Sequence, residues 1–572
     1  MKQKLLLFSP ALLSALLLWA IFPPMGEVCA LAFALAPLLA VARLAAPGKS
    51  AQAWFLGGFL FWFATLAWMP AIAKNNGPLP LVLLGWAGLS ALCAAYFALF
   101  GWLSARAWSG VAAGGRAPRA AKVLLLLLVE PLLWAGLEWV RSWLFTGFAW
   151  NFLGTAVGQL PSLAAPARLG GVYLVSALVV LLNGVFATLA CRLLAQICPG
   201  GEADAAHDGP PQDGGRLAPW RPAFSGRMGQ MCETALPLGL ILLVFALSGL
   251  SRAPSAQPPA HALRVALVQR NAPCIFSRRD GAQDPYEVFG RLLATASAAR
   301  PDLVVWAESA MSEFGHLDSD NARHAALAFA RQTGGASLLA GGDWWHVEGG
   351  ERRVWNAAGL YTPSATNVEL QVYGKQHLVP FGEYIPFDKW LTPLQRLSPV
   401  GVSIWPGEAK TLRLRFNRAD AAPTVAVAPL VCYEDTDPVL SRRAARLGAQ
   451  VIILITNDSW FSHSQEPLQH AWQAILRAIE TGLPVVRVGN SGVTGVIFPS
   501  GRARWLEDGD GHVLVDAAGT MIETVPVAAS PVLTPYARLG DLPLALLFAA
   551  SLGFAGFAAR RRAPSLRAAI ES

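Results

Sequence analysis

Apolar runs of about 20 residues, each closed by charge, proline or glycine, recur through the first 250 positions, and about 20 residues is what a helix needs to cross a hydrocarbon core. They fall at 5–22, 28–45, 53–73, 80–103, 122–145, 172–196 and 232–250, and an eighth runs from 542 to 558. Only 14% of the residues are charged, where a soluble domain carries roughly 25%. The expected fold class is therefore a multi-pass α-helical membrane domain with eight transmembrane helices, seven in residues 1–251 and the last in 538–560, flanking a polar region. The first run is not read as a cleaved signal peptide, because Pro23-Pro24-Met25-Gly26-Glu27 leads straight into the second.

The net charge of +8 is spread over short loops rather than one basic face, so no nucleic-acid partner is expected. If the loops alternate, Lys2, Lys4, Arg43, Lys49, Arg106, Arg116, Arg119, Lys122, Arg216, Arg221, Arg227 and Arg560-Arg561-Arg562 share one side. Little beyond Lys74 and Arg168 falls opposite. Cytoplasmic loops collect Lys and Arg, which puts both termini in the cytoplasm and the polar region outside, in the periplasm of a Gram-negative cell. Residues 199–228, rich in Gly, Pro, Asp and Ala, read as a disordered cytoplasmic insert. Glu130, Glu138 and Arg141 lie inside the fifth run, and Glu138 and Arg141, three apart, are placed to pair on one helix face.

Seven scattered cysteines, without zinc-ligand spacing, argue against a disulfide framework or a metal site. From residue 262 to 528 the texture changes to an α/β domain. Strands are expected at 263–269, 303–306, 337–340, 425–431, 451–456, 485–488, 493–497 and 512–515, and helices at 286–299, 319–333, 438–447 and 465–481.

Polar residues stand where three of these segments end. Glu308 follows Leu303-Val304-Val305-Trp306-Ala307, Lys375 lies in Tyr373-Gly374-Lys375-Gln376-His377, and Cys432 follows an apolar strand and precedes a helix opened by Asp437-Pro438. A thiol near helix-end amides has a route to a lowered pKa, and the thiolate is the nucleophile; the plain alternative is a small buried hydrophobe. A carboxylate can take the thiol proton and an ammonium can stabilise an oxyanion. Periodicity does not bring the three together.

The motifs Val265-Ala266-Leu267-Val268-Gln269, Val305-Trp306-Ala307-Glu308-Ser309, the run from Lys375 to Pro386, Cys432-Tyr433-Glu434, Thr456-Asn457-Asp458-Ser459-Trp460-Phe461 and Asn490-Ser491-Gly492-Val493-Thr494-Gly495 resemble the carbon–nitrogen hydrolase (nitrilase) superfamily. The chain as a whole is similar to the membrane branch of that superfamily, the apolipoprotein N-acyltransferases. The resemblance implies a nitrilase-like four-layer αββα sandwich with Glu308 as general base, Lys375 as oxyanion stabiliser and Cys432 as nucleophile. It implies support from Glu383, Tyr433 and Glu434, and substrate contacts from Asn356 and Trp460, each of which also reads as an ordinary turn or core residue. It implies no cofactor. The donor would be a phospholipid, typically phosphatidylethanolamine, and the acceptor the free α-amine of a diacylglyceryl apolipoprotein in the inner membrane.

The stretch 386–406, with Trp390 and Trp405 among few charges, reads either as an apolar lid dipping into the interface or as a loop packed on its own domain. His377 reads as a structural histidine. Arg270, Ser277-Arg278-Arg279 and Ser462-His463 depart from the family pattern, which bears on headgroup and acceptor contacts rather than on the three central residues. Two rivals remain: a membrane-anchored amidase in which water resolves the thioester, and a non-catalytic lipid-handling protein.

Overall fold

A computed structural model describes residues 2–75, 77–113, 119–197, 226–251, 261–273, 285–385, 404–416 and 424–560. The expected insert at 199–228 falls almost wholly outside these residues. So do Trp390 and most of the 386–406 stretch.

Six helices among the described residues are long and apolar enough to cross a membrane: Pro47–Asn75, Leu79–Val111, Ala120–Arg141, Ala167–Gln196, Glu233–Leu250 and Leu542–Arg560. The first two expected spans are shorter apolar helices, Phe8–Ala20 and Val28–Leu44. The second breaks for a local reason. A 3-10 turn, Val28–Ala32, gives way to a new helix, Ala36–Leu44, with a proline in its first turn. Asn183 satisfies the break, accepting from Leu35 N–H at 2.7 Å and donating to Leu31 O at 2.8 Å, as backbone freed within a membrane domain requires.

Leu84, Leu242 and Leu546 are more than 60% exposed, which fits lipid-facing surface. Inside, Arg43 is buried and pairs with Glu130 at 2.8 Å. Ser104 and Trp108 bond the other oxygen of Glu130, at 2.6 and 2.8 Å. Arg43 is thus an internal clamp rather than a loop charge, and it drops out of the orientation count. The expected Glu138–Arg141 pair is not a direct contact either. Arg141 donates to Phe148 O and Trp150 O at 2.7 and 2.9 Å, and Glu138 accepts from Leu153 N–H at 2.8 Å. Both residues hold the re-entrant chain that follows their helix.

The α/β domain has two six-stranded sheets. The first takes the order β12-β1-β2-β3-β4-β5, with β1 His261–Gln269, β2 Leu303–Trp306, β3 Ser337–Glu348, β4 Glu351–Pro363, β5 Val368–Gly374 and β12 Gly519–Val527. The second runs β11-β10-β9-β8-β7-β6, with β6 Leu412–Arg415, β7 Thr424–Val431, β8 Val451–Thr456, β9 Val485–Gly489, β10 Gly495–Ile497 and β11 Ala503–Trp505. Leu263, Val265, Val305, Val427, Ile453 and Val486 meet between the sheets. Helices Pro285–Ala298 and Asp320–Gln332 cover the outer face of the first sheet, and Pro438–Arg446 and Glu466–Thr481 that of the second, giving helix–sheet–sheet–helix layers. Residues 512–515 form no strand; Val513 makes a single bridge to Glu507, because the loop turns at Gly511 with φ +83°.

The helical layer on the second sheet is also the seat on the membrane domain. Ala474, Ile475 and Ile479 belong to one apolar cluster with Trp54, Trp150 and Leu153.

Candidate active site

β2, β5, β7 and β8 end at one edge of the sandwich, where ligands of parallel-stranded sheets characteristically sit. Glu308, Lys375, Cys432 and Asp458 each stand one or two residues beyond those ends. β3 can pass close behind Glu308 only because Gly341 has no side chain: a Cβ there would lie 2.6 Å from Glu308 Cα.

Asn356 on β4 donates from one amide nitrogen to Glu308 Oε1 and Glu383 Oε1, each at 2.7 Å. Lys375 Nζ lies 2.9 Å from both oxygens of Glu383, whose Oε2 also accepts from Val379 N–H at 2.8 Å. Glu308, Lys375 and Glu383 are all buried. Glu434 is fully buried and accepts from Val431 N–H at 2.7 Å, Gln376 N–H at 2.7 Å, His377 N–H at 3.2 Å and Tyr373 O–H at 2.9 Å. It therefore ties the cysteine turn to the segment carrying Lys375. His377 has its ring edge-on to Tyr433, 5.6 Å away, and its Nδ1 3.6 Å from Asp437.

Cys432 opens a 3-10 turn, Cys432–Thr436, with φ +55°. That backbone region costs a non-glycine residue about 1–3 kcal/mol and clusters at functional sites. Ser309, next to Glu308, and Phe381, two residues before Glu383, share the strain at φ +59° and +63°. The expected lowering of the thiol pKa does not occur. Burial pushes the Cys432 thiol well above its usual value and Glu308 adds to this, while Lys375 pulls it back. Helix-end amides do not outweigh burial and a neighbouring carboxylate. The resting thiol is therefore neutral, and it would need a base to act as a nucleophile. Burial also raises the Glu308 carboxyl, against the pull of Lys375, which makes it a stronger proton acceptor. Burial opposes the charge on Lys375, but Glu383 above all, with Glu308, holds it protonated.

Tyr433 faces the membrane domain. Its Oη accepts from Ala149 N–H at 3.0 Å, and its ring stacks on Trp150, with centroids 6.3 Å apart and planes at 10°. Trp460 meets the same domain through its carbonyl, which accepts from Asn75 Nδ2 at 3.1 Å. Trp405 is 41% exposed, under the Arg353 guanidinium at 4.4 Å. Arg270 pairs with Glu313 at 2.7 Å and donates to Ala310 O at 3.2 Å.

Sequence reasoning missed a buried polar group behind the cysteine turn. His470 lies between Asp435, 2.8 Å from Nε2, and Asp458, 3.0 Å from Nδ1. Arg487 lies 3.1 Å from the other oxygen of Asp458. Asp458, Glu466 and His470 have ligand-type atoms within 4.8 Å of one another, but both ring nitrogens already face carboxylates, so no lone pair is left for a metal. One residue earlier, Gln469 accepts from Trp68 Nε1 at 3.2 Å and Trp150 Nε1 at 3.0 Å, and donates to Thr65 O at 3.2 Å.

Comparison with known proteins agrees with this architecture. A family model for the apolipoprotein N-acyltransferase N-terminal domain matches residues 14–185, and one for carbon-nitrogen hydrolase matches 264–531. An apolipoprotein N-acyltransferase of Geobacter metallireducens is 30% identical over 500 residues, 87% of this chain and 86% of that one. One of Methylococcus capsulatus is 29% identical over 557 residues, 96% of each chain, and one of Brucella melitensis is 31% identical over 89% of this chain and 86% of that one. With membrane domain and hydrolase-like domain matched along nearly their whole length, the chain belongs to the apolipoprotein N-acyltransferase family, within the carbon–nitrogen hydrolase superfamily.

Proposed function

We propose that this chain transfers an acyl chain from a phospholipid, through a thioester on Cys432, to the α-amine of an N-terminal diacylglyceryl-cysteine. Glu308 takes the thiol proton as sulfur attacks the ester carbonyl carbon. The Lys375 ammonium, held by Glu383, meets the oxyanion. Collapse breaks the ester C–O bond, and the lysophospholipid alkoxide leaves with the proton from Glu308. In the second half the amine attacks the thioester, Glu308 takes its proton and returns it to the departing sulfur, and an amide remains.

The observation that carries this reading is the seat of Tyr433 on Ala149 and Trp150, one residue from the thiol and at the end of the membrane helices. A hydrolase acting on a soluble substrate has no need of it. The helices alternate in direction. Pro23, Thr65 and Asn75 and the 142–172 segment meet the catalytic domain. Arg43 and Gly184 meet at the opposite end. This supports eight crossings of the inner membrane, two of them by short helices, with both termini cytoplasmic and the catalytic domain periplasmic.

The test is mass spectrometry of the purified protein incubated with phosphatidylethanolamine. One acyl chain added on Cys432, absent in Cys432→Ala and discharged onto a diacylglyceryl peptide, is expected. Discharge only to free fatty acid would instead establish the amidase reading, and no adduct at all would leave the lipid-handling one.

A further inference from the structure

The Asp435–His470–Asp458 bridge has no part in the chemistry just described, yet through it the cysteine turn and the turn after β8 share a buried side chain. Both ring nitrogens of His470 face carboxylate oxygens, at 2.8 and 3.0 Å. A neutral imidazole has one N–H, so one of these contacts would set lone pair against lone pair; only the doubly protonated ring satisfies both. Asp458 is ionised on independent grounds, since Arg487 lies 3.1 Å from its Oδ2 and Thr456 donates to Oδ1 at 2.8 Å.

The remaining group facing the ring, Glu466, lies 3.7 Å from Nδ1 and has a buried oxygen without a partner. Burial, with Asp458 alongside, holds it protonated. Two cations, His470 and Arg487, therefore balance two anions, Asp435 and Asp458, inside a site sealed from water. The balance matters to the nucleophile. Of these four groups, Asp458 is the one whose charge reaches both Cys432 and Glu308, acting on the thiol alongside Glu308, Lys375 and Glu383.

We propose that His470 is a positioning residue for Cys432: a buried imidazolium that pins the cysteine turn to the turn after β8 and cancels the Asp458 charge the thiol would otherwise face. Its helix neighbour Gln469, bonded to Trp68, Trp150 and Thr65, anchors the same turn of helix in the membrane domain. The bridge thereby registers the nucleophile against the membrane seat. This rests on Cys432 being the nucleophile, but its test uses no lipid.

Alkylation of Cys432 by iodoacetamide is followed against pH in the full-length protein in detergent, by mass spectrometry of the peptide bearing it. In His470→Gln only Arg487 is left to balance Asp435 and Asp458, so the cluster carries one net negative charge beside the thiol, and the midpoint is expected to rise by about one pH unit, a roughly tenfold slower reaction at a fixed pH below it. The double variant His470→Gln/Asp458→Asn, which removes both charges, is expected to return the midpoint to the wild-type value or below. A purely structural role would lower thermal stability and leave the midpoint in place, which would overturn the proposal. If the single variant fails to fold, the double variant decides alone: a midpoint at or below wild type supports the proposal, and one above it overturns it.

Discussion

Tyr433 accepts the backbone N–H of Ala149 at 3.0 Å while Ala149 itself is 1% exposed, so the residue after Cys432 closes a dry hydrogen bond to the membrane domain. Removing the hydroxyl leaves that N–H buried and unsatisfied, a loss of about 1–3 kcal/mol. Tyr433→Phe keeps the stack on Trp150 and is expected to unfold at lower temperature in detergent and to acylate more slowly. Tyr433→Ala loses the stack as well and is expected to fall further. A Tyr433→Phe protein with wild-type unfolding and acylation would show that the seat does not hold the thiol.

Asn356 favours the charged form of Glu308 by donating to it at 2.7 Å. Asn356→Leu removes that donor, so the Glu308 carboxyl rises further and is more protonated at any given pH. The acidic limb of the acylation-rate profile is expected to move upward by about one pH unit, the equivalent of one hydrogen bond of about 1.4 kcal/mol, with rate recovered at higher pH. A uniform loss at every pH would mean that Asn356 acts on Lys375 or on substrate instead.

What the sequence made legible was mostly local. Four- to eight-residue apolar runs mark β1, β2, β7 and β8 because those strands are buried on both faces, and residues just past three of them, Glu308, Cys432 and Asp458, line the candidate site. β4 was missed because it opens on three charges, Glu351-Arg352-Arg353, and carries Asn356 within its apolar run, although Gly349-Gly350, at φ +62° and +85°, is a hairpin turn that could have been read. Helix Glu466–Thr481 misleads more deeply. Glu466, Gln469, His470, Gln473, Arg477 and Glu480 form a polar stripe at helical spacing, which normally means a face in water. Each is 3% exposed or less, because the stripe docks on polar groups at the ends of the membrane helices, as where Glu480 accepts from Val172 N–H at 2.8 Å. No spacing rule reveals that a polar face has a protein partner.

The buried charges behind the turn also set a pH window for stability. His470 is lifted to about 10 in the fold, chiefly by Asp435 and Asp458 working against burial. A raised folded-state pKa gives stability that is whole below the unfolded value of about 6.5 and lost as pH rises through about 10. Asp458 is lowered to about 2 by His470 and Arg487 against burial, so its contribution is present above the usual carboxylate range and lost as pH falls toward 2. The unfolding temperature is expected to decline between about pH 7 and 10, and the decline to be shallower in His470→Gln. Parallel declines in the two proteins would assign the alkaline loss to other groups.

The last helix, Leu542–Arg560, is held by glycines rather than by polar groups, the small-residue packing that lets membrane helices approach closely. A Cβ on Gly136 would lie 2.1 Å from Phe548 Cδ2, and one on Gly110 would lie 2.1 Å from Ala558 O. Neither glycine has positive φ, so the constraint is space and not backbone conformation. Gly136→Val is expected to push the Phe548 ring out of its slot and destabilise by about 1–3 kcal/mol. Phe548→Ala opens a hole and costs about 3–5 kcal/mol. The double variant is expected to be more stable than the sum of the two losses predicts, because the valine methyls enter the space the ring left. Thermal unfolding of the four proteins in detergent measures that coupling. Strict additivity would mean that the ring relaxes freely and that the last helix is held elsewhere.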